Sequence, residues 1–110
     1  MVADLEPVRG SEASKRRPVV IVSNDLLHEE IDRFGVGVVT VVPLTSSTER
    51  VYRGQVVFSA EQSGLARDSK AQAELVRAIS TGRLMGGVIG HLSSDQMAEM
   101  DGALRLHLSL

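Results

Sequence analysis

The sequence contains no cysteine and no tryptophan, and its aromatic residues are one tyrosine and two phenylalanines. Without cysteine, the chain cannot form disulfides, use a thiol as a nucleophile or bind a metal through thiolates. The longest hydrophobic runs, such as residues 36–44, are interrupted by glycine, threonine or proline and are too short to span a bilayer. No basic segment followed by an apolar one opens the sequence, so we expect a cytoplasmic protein with no membrane partner.

The composition indicates one compact domain. Of the 110 residues, 43% are hydrophobic and 24% are charged, which is enough apolar mass for a single core over residues 1–110. The net charge of -2 argues against a broad basic face for duplex nucleic acid. The charges are uneven: residues 9–17 contain four basic residues and one acid, whereas residues 25–32 contain four acids and no lysine or arginine. We therefore expect an anionic ligand at residues 9–17.

The hydrophobic pattern predicts strands separated by turns. A β-branched run at residues 18–22 predicts a strand buried on both faces, and the acidic segment 24–34 predicts a short helix. Residues 36–44 are the strongest predicted strand, which we expect to leave the sheet at Pro43, just before Thr45. Further predictions are a hairpin partner at 51–58 with a bend at Gly54, a turn-rich connection at 59–68, a helical turn at 80–84 and a strand at 85–91.

The last segment predicts an amphipathic helix that packs on the sheet. Ser93 and Gln96 have the spacing of a capping box, and Leu92 and Met97 have the spacing of a hydrophobic staple. The predicted apolar stripe consists of Met97, Met100, Leu104 and Leu108.

Five blocks of the sequence, taken in order, are similar to one known family. They are DLEPVRGSE at 4–12, RRPVVIVSND at 16–25, VVTVVPLTS at 38–46, GLARDSKAQAELVRAI at 64–79 and MDGALRLHL at 100–108. Through these blocks the chain resembles the MazF/PemK (Kid-type) toxin ribonucleases. The resemblance implies a mainly β (α+β) fold, a small SH3-like barrel of the CcdB/Kid/MazF type with a C-terminal amphipathic helix.

The resemblance also changes two local expectations. Residues 69–79, which by propensity form a helix, become a central strand that carries polar residues into the active-site groove. The family usually begins with a strand of the type R-G-E-I-W, which is largely absent here. Either the true start lies upstream of Met1, or this protein lacks an edge that helps to close the barrel.

In function, the resemblance implies the toxin of a type II toxin-antitoxin system. Such a toxin is a sequence-specific, metal-independent endoribonuclease that cuts single-stranded RNA (mRNA, with rRNA or tRNA as further candidates). Cleavage leaves a 2',3'-cyclic phosphate and a 5'-hydroxyl, and it inhibits translation and growth. The expected partners are a cognate MazE-like antitoxin and a second copy of the chain in a homodimer, and we expect no cofactor and no metal site.

The same resemblance assigns the candidate site residues. Arg17 and Thr45 match the family's key catalytic positions, and Pro18 favours extended backbone at Arg17. We expect Arg17 to stabilise phosphate charge and to donate a proton, and Thr45 to hydrogen-bond the scissile phosphate; neither is predicted as core. Glu74 and Glu12 are alternative candidates for the general base. The candidate RNA-binding residues are Ser11, Lys15, Arg16, Ser46, Gln72 and Arg77.

Two alternatives from other classes stay open. The same fold family contains CcdB, a gyrase poison that acts by binding, but its activity depends on a terminal Trp-Gly-Ile and this chain has no tryptophan. The second alternative is a barrel that binds an antitoxin yet cleaves little RNA. It is favoured by the missing first strand and by Leu75, which stands where many members of the family have a glutamine. Gln72, which stands where Kid has an arginine, also removes a polar contact from the groove.

Overall fold

The computed structural model describes residues 2–4, 16–23, 29, 33–35, 37–85 and 89–110. The strands are β1 (Val2–Asp4), β2 (Arg16–Ile21), β3 (Val38–Thr45), β4 (Gln55–Phe58), β5 (Ser69–Gln72), β6 (Arg77–Ser80) and β7 (Leu84–Met85). The helices that have defined ends are α1 (Ala60–Ser63) and α2 (Ser94–Leu108), and 3-10 turns lie at Ala73–Leu75 and Thr81–Arg83. The architecture is mainly β with a C-terminal helix, as predicted.

The central strand is β3, which pairs with three other strands. One edge pairs with β2. On the other edge, residues 38–41 pair with β6, and the last two residues, Leu44 and Thr45, pair with β5. The strand order is β4-β5-β3-β2-β1-β7, with β6 also paired to β3. The end strands β4 and β7 are not paired with each other in the described part of the chain, so the sheet does not close into the predicted barrel.

Pro43 marks the point at which β3 changes partner. The prediction that the strand leaves the sheet at Pro43 is wrong, because Pro43 pairs with Val19 and β3 continues to Thr45. On the other edge, Pro43 falls between Val41, which pairs with β6, and Leu44, which pairs with β5. Proline has no N–H to donate, so it fits a position at which one partner strand ends and another begins.

Apolar side chains pack on both faces of the sheet. Val19 and Val20 are adjacent on β2 and enter different clusters, because successive side chains of a strand point to opposite faces. The strand predicted at 18–22 is therefore buried on both faces, as expected. The smaller cluster is Val19, Val39, Val41 and Ile79. The larger one is Val20, Val42, Leu44, Val56, Phe58, Ala71, Ala73, Met100 and Ala103.

The last helix, α2, begins as predicted. Ser93 and Gln96 form the capping box: the Ser93 hydroxyl accepts from the Gln96 N–H, and the Gln96 side chain accepts from the Ser93 N–H. Met100 is fully buried in the larger cluster, together with Ala103. Leu108 is 51% exposed, so its predicted place in the buried stripe is wrong, because the last turn of the helix extends beyond the core. No helix in the described ranges has the length and hydrophobicity that a membrane crossing requires.

Two predictions between β3 and β6 need correction. The strand predicted at 69–79 is divided into β5 and β6 by the 3-10 turn Ala73–Leu75, since β3 offers these two strands separate positions on one edge. The hairpin partner predicted at 51–58 is shorter, and it pairs with β5. The loop 46–54 carries the chain past β5 to its outer edge, and Gly54 provides the predicted bend with a φ of 82°.

Two connections contain detail that the sequence does not indicate. The segment 59–68, predicted to be turn-rich, also contains the single helical turn α1, for which Ser59 and Gln62 form a second capping box. Of the strand predicted at 85–91, Met85 lies in β7, whereas residues 89–91 belong to no strand. Residues 86–88 lie outside the described residues. The helical turn predicted at 80–84 is confirmed as the 3-10 turn Thr81–Arg83.

Two predictions near the N-terminus fall mostly outside the described residues. Of the helix predicted at 24–34, Glu29, Arg33 and Phe34 are described, and all of them are helical. At the start of the chain, β1 is a three-residue strand that pairs with both β2 and β7. That the family's first strand is largely absent stays a prediction.

Candidate active site

Arg17 lies on β2, and its side chain is only 5% exposed. Its Nε donates a hydrogen bond to the Leu44 carbonyl oxygen at 2.9 Å, and its Nη2 donates to Oε1 of Gln72 at 2.6 Å. Because Leu44 is near the end of β3 and Gln72 ends β5, the guanidinium is held between two strand ends. The expectation that Arg17 lies outside the core is therefore wrong. Hydrogen bonds to both acceptors make the burial of this polar group tolerable.

The charge of Arg17 is not neutralised by these acceptors, since a carbonyl oxygen and an amide oxygen are both uncharged. Burial lowers the pKa of Arg17, and the negative charge of Glu74 opposes part of this shift. An arginine still carries its proton at neutral pH, because its ordinary pKa is so high. The site therefore contains a fixed, partly desolvated positive charge that suits a phosphate oxygen.

Thr45 and Arg17 lie at the same end of the β2–β3 pair. The paired residues nearest to them are Val19 and Pro43, each two positions away along its strand. Thr45 also directly follows Leu44, whose carbonyl oxygen accepts the hydrogen bond from Arg17 Nε. Thr45 Oγ1 accepts a hydrogen bond from the Ser47 N–H at 3.3 Å. The turn after β3 thus orients this hydroxyl, which keeps its own proton to donate to a ligand.

Glu74 is exposed in the 3-10 turn that follows β5. Its Oε2 accepts a hydrogen bond from Nε2 of Gln55 at 2.6 Å. The charge of Glu74 also acts on Arg17, where it raises the pKa against the effect of burial. Gln55 therefore orients a carboxylate in the electrostatic neighbourhood of the guanidinium. Glu12, the other candidate base, lies outside the described residues.

Lys70 is a second buried cation, which the sequence analysis did not identify. Its side chain is 6% exposed, and its backbone pairs with Thr45 across β3 and β5. Its Nζ donates a hydrogen bond to the Arg50 carbonyl oxygen and lies over the Tyr52 ring, 5.7 Å from the centroid. Thr45 is thus flanked by Arg17 on one neighbouring strand and by Lys70 on the other.

The candidate RNA-binding residues divide into three groups. Ser46 is exposed directly after Thr45, and Gln72 contacts Arg17, so both lie at the same end of β3. Arg77 pairs with Val41, which is four residues from Thr45, or about 13 Å along an extended strand. In the third group, Ser11 and Lys15 lie outside the described residues, and Arg16 is described by its backbone alone.

Three contributors to the site escaped the sequence analysis, namely Gln55, Lys70 and Tyr52. A weak signal existed for Tyr52, because a single tyrosine stands between Arg50 and Arg53 in a segment with turn residues. No such signal existed for the other two, whose partners lie 19 to 20 residues away in the chain. Among the described residues, no group of three or more His, Cys, Asp or Glu side chains could hold a metal ion.

The comparison with protein families is decisive. A family profile described as "PemK-like, MazF-like toxin of type II toxin-antitoxin system" matches residues 1–108. The chain belongs to this family. Endoribonuclease MazF9 of Mycobacterium tuberculosis (strain ATCC 25618 / H37Rv) is 51% identical over 107 residues, which cover 97% of this chain and 90% of that protein. The family resemblance predicted from the five sequence blocks is confirmed.

Solved structures of PemK/MazF toxins have the same fold. The Mycobacterium tuberculosis toxin MazF-mt6 superimposes with a TM-score of 0.78 at 25% identity, covering 99% of this chain and 94% of that one. An endoribonuclease from mycobacterial species, solved in complex with its cognate antitoxin, superimposes with a TM-score of 0.74 at 22% identity, with coverages of 99% and 89%. The similarity to this second structure is evidence for the fold alone, and that fold agrees with the predicted fold class.

Proposed function

We propose that this PemK/MazF-family chain is a metal-independent endoribonuclease toxin that cuts single-stranded RNA and thereby inhibits translation and growth. The observation that carries the proposal is the buried Arg17 guanidinium, held at the end of β3 that carries Thr45 and within the electrostatic reach of Glu74. A relative that is 51% identical over nearly the whole chain is named an endoribonuclease. This supports an active nuclease over a barrel that binds an antitoxin without cutting RNA.

The reaction joins the 2'-oxygen to phosphorus and breaks the bond from phosphorus to the 5'-oxygen. Negative charge accumulates on the phosphate oxygens in the transition state, and Arg17 supplies a positive charge whose position two strand ends fix. A cation that is already oriented and partly desolvated needs little reorganisation when the charge develops. Arg17 also donates a proton to the departing 5'-oxygen and regains one from solvent, and the lowered pKa of Arg17 favours this donation.

Thr45 hydrogen-bonds a nonbridging oxygen of the scissile phosphate. Its Oγ1 accepts from the Ser47 N–H, so the hydroxyl proton is directed away from that nitrogen. Because Arg17 contacts the carbonyl oxygen of Leu44, the residue before Thr45, one phosphate can contact both side chains. Thr45 thus orients the phosphate for attack, and Arg17 stabilises the charge that the attack produces.

Glu74 takes the proton of the attacking 2'-hydroxyl. Its carboxylate is solvent-exposed, so RNA can reach it, and Gln55 fixes one of its two oxygens at 2.6 Å. The proton goes to Glu74 while the new bond to phosphorus forms, and the products are a 2',3'-cyclic phosphate and a 5'-hydroxyl. We further propose that Ser11, Lys15, Arg16, Ser46, Gln72 and Arg77 contact RNA.

The test is to incubate the purified protein with a long RNA, with and without EDTA, and to map the cut ends. We expect cuts at a short recurring sequence, with 2',3'-cyclic phosphate and 5'-hydroxyl termini, at the same rate in both samples. Intact RNA would favour the alternative of an antitoxin-binding barrel without nuclease activity. Cleavage that EDTA abolishes would overturn the metal-independent mechanism.

A cognate antitoxin is the protein partner that we propose. A largely apolar cavity of about 420 Å³ adjoins the end of β2 that carries Arg17, and its lining includes Val20, Phe58, Ile89 and Met97. A disordered antitoxin tail with acidic and apolar residues could insert its apolar side chains there and place its acids near the basic residues 9–17. Co-expression with the product of an adjacent small reading frame should relieve growth arrest. Failure of any adjacent product to bind the purified protein would contradict this.

The second proposed partner is another copy of the chain. Large apolar side chains are exposed at the end of the chain: Leu106 is 55% exposed, Leu108 51% and Leu110 87%. Exposed apolar side chains this close together commonly mark a protein interface. Light scattering at micromolar concentration should give twice the monomer mass of 11.8 kDa. A monomer mass under those conditions would contradict the homodimer.

A further inference from the structure

The loop 46–54 between β3 and β4 presents the chain's only tyrosine to solvent. Tyr52 is 59% exposed, and Arg50 and Arg53 on either side of it are exposed as well. Exposed aromatic rings stack on the bases of single-stranded RNA, and neighbouring arginines bind its phosphates. The composition of this loop therefore suits an unpaired nucleotide better than it suits a packed interior.

Lys70 holds this ring at the end of β3. The Nζ of Lys70 lies over one face of the Tyr52 ring, 5.7 Å from the centroid, and also donates a hydrogen bond to the Arg50 carbonyl oxygen. Because the backbone of Lys70 pairs with Thr45, a single lysine side chain separates the tyrosine from the strand end that carries Thr45. The cation restrains the ring through a cation–π contact, and the ring keeps an exposed surface.

A second link joins the loop to the candidate base. The side chain of Gln55 accepts a hydrogen bond from the Tyr52 N–H at 2.9 Å and donates one to Glu74 Oε2 at 2.6 Å. The Gln55 N–H closes the turn by donating to the Tyr52 carbonyl oxygen at 3.1 Å. The backbone of Tyr52 is therefore tied to Glu74, while its ring is tied to the strand that pairs with Thr45.

We propose that Tyr52 stacks on a nucleobase next to the scissile phosphate, with Lys70 as the residue that positions the ring. The ligand is single-stranded RNA, because an aromatic face with flanking arginines recognises bases joined by phosphates. The proposal rests on the proposed nuclease function, which it deepens by assigning a base-binding subsite. The residue that forms this subsite, Tyr52, is distinct from Arg17, Thr45 and Glu74, which we propose act in the reaction at the phosphate.

The test uses the emission of Tyr52 itself. The chain has no tryptophan and no other tyrosine, so its tyrosine fluorescence reports on this one ring. The probes are homopolymeric single strands of each base, fully 2'-O-methylated so that they cannot be cut, and a strand of the same length that carries no bases. We expect quenching by the base-containing strands and much less by the strand without bases, since stacking requires a base.

Affinity measured by fluorescence anisotropy of labelled strands provides the second readout. Tyr52→Ala should weaken binding of the base-containing strands about 5-fold to 150-fold, and Tyr52→Phe should bind like wild type, because it keeps the ring. The matched control is Phe34→Ala. Phe34 is 68% exposed beside Arg33, but it precedes the start of β3, the strand whose other end carries Thr45. We expect the affinity to be unchanged by this control.

The positioning role of Lys70 has its own variants. Lys70→Met keeps an unbranched apolar stem that is one atom shorter and loses the cation, so affinity should fall about 2-fold to 5-fold and the quenching of Tyr52 should shrink. Lys70→Arg restores a cation and should restore both readouts. If Lys70→Arg were no better than Lys70→Met, the side chain would serve packing only, and the positioning role would be overturned.

The outcomes separate this proposal from the proposed function. Quenching by base-containing strands from a protein that cuts no RNA would support base stacking and overturn the nuclease. Cleavage of RNA by a protein whose Tyr52 emission is unaffected, and whose Tyr52→Ala variant binds normally, would overturn base stacking alone. Quenching by an antitoxin peptide but by none of the strands would assign the ring to a protein partner and overturn the RNA subsite.

Discussion

Arg17 and Lys70 are both buried cations beside Thr45, yet their surroundings are very different. Arg17 contacts an amide and a carbonyl oxygen on neighbouring strands and feels the charge of Glu74. Lys70 reaches outward to a backbone carbonyl and an aromatic ring in the loop 46–54. On the β2 side of Thr45, the positive charge of Arg17 is therefore held in place by two strand ends. On the β5 side, the positive charge of Lys70 holds the loop 46–54.

From this difference we infer that Arg17 and Lys70 have separate roles at the end of β3. A fixed cation with a nearby carboxylate suits stabilisation of a transition state, because electrostatic preorganisation lowers the barrier itself. A cation that orients an exposed ring affects which bases bind and how tightly. Variants on the Arg17 side should therefore change the rate of the chemical step, whereas variants on the Lys70 side should change affinity for RNA.

The largest effect is expected from Glu74→Gln. The amide can still accept the hydrogen bond from Gln55, but it cannot take a proton from the 2'-hydroxyl. General bases typically contribute about 100-fold to 10,000-fold, so the single-turnover rate should fall by that factor while RNA affinity stays similar. The paired variant is Glu12→Gln. A loss confined to Glu12→Gln would make that residue the base in place of Glu74.

Arg17→Ala should lower the single-turnover rate about 30-fold to 1000-fold, which corresponds to roughly 2 to 4 kcal/mol of transition-state stabilisation. The control is Arg16→Ala, one residue away, which should weaken RNA binding slightly and leave the chemical step nearly unchanged. Equal losses for both variants would mean that the basic segment only gathers RNA. Cleavage at the wild-type rate by Arg17→Ala would remove the proposed mechanism.

Arg17→Ala also has a structural consequence that must be measured separately. It leaves the Leu44 carbonyl and the Gln72 side chain without their donor, which should cost about 1 to 3 kcal/mol in the free energy of unfolding. Urea unfolding followed by circular dichroism gives this quantity. Cleavage assays should then be made under conditions in which both proteins are folded. A variant that is unfolded without denaturant would shift the test to Arg17→Lys, which keeps the charge but loses the fork geometry.

Thr45→Val should lower the rate by about 10-fold, less than Arg17→Ala, because it removes one hydrogen bond to the phosphate and no charge. The valine is similar in shape, so the end of β3 should be preserved. Thr45→Ser keeps the hydroxyl and is the matched variant, which should cleave RNA nearly as fast as wild type. Equal rates for the valine and serine variants would exclude a role for the hydroxyl.

The smallest effect on chemistry is expected from Lys70→Met. At saturating RNA the single-turnover rate should stay within about 2-fold of wild type, because Lys70 contacts the loop and not Glu74 or Arg17. A titration of the rate against RNA concentration separates affinity from chemistry. A large loss at saturation would show that the two cations share one role.

Much of the fold followed from local pattern. The strand at 18–22 and the capping box at Ser93 were predictable because β-branched runs and cap spacing are local signals. The break between β5 and β6 was not, because it depends on β3, whose residues 38–41 and 44–45 accept different partners. Pro43 was informative but was interpreted wrongly: it marks a change of partner strand instead of an exit from the sheet.

Less of the candidate site than of the fold could be predicted from local sequence pattern. Arg17, Thr45 and Glu74 were found through the resemblance, which assigns positions without geometry. The burial of Arg17 was not predicted, since it requires acceptors that lie 27 and 55 residues away in the chain. Lys70 was overlooked for the same reason, because a lysine in a short polar segment gives no sign of its burial until its partner strands are known.

The most direct test of the division between the two cations is a comparison of single-turnover rates at saturating RNA for wild type, Arg17→Ala and Lys70→Met. We expect a loss of at least about 30-fold for Arg17→Ala and less than about 2-fold for Lys70→Met. Similar losses in the two variants, or a larger loss for Lys70→Met, would contradict it.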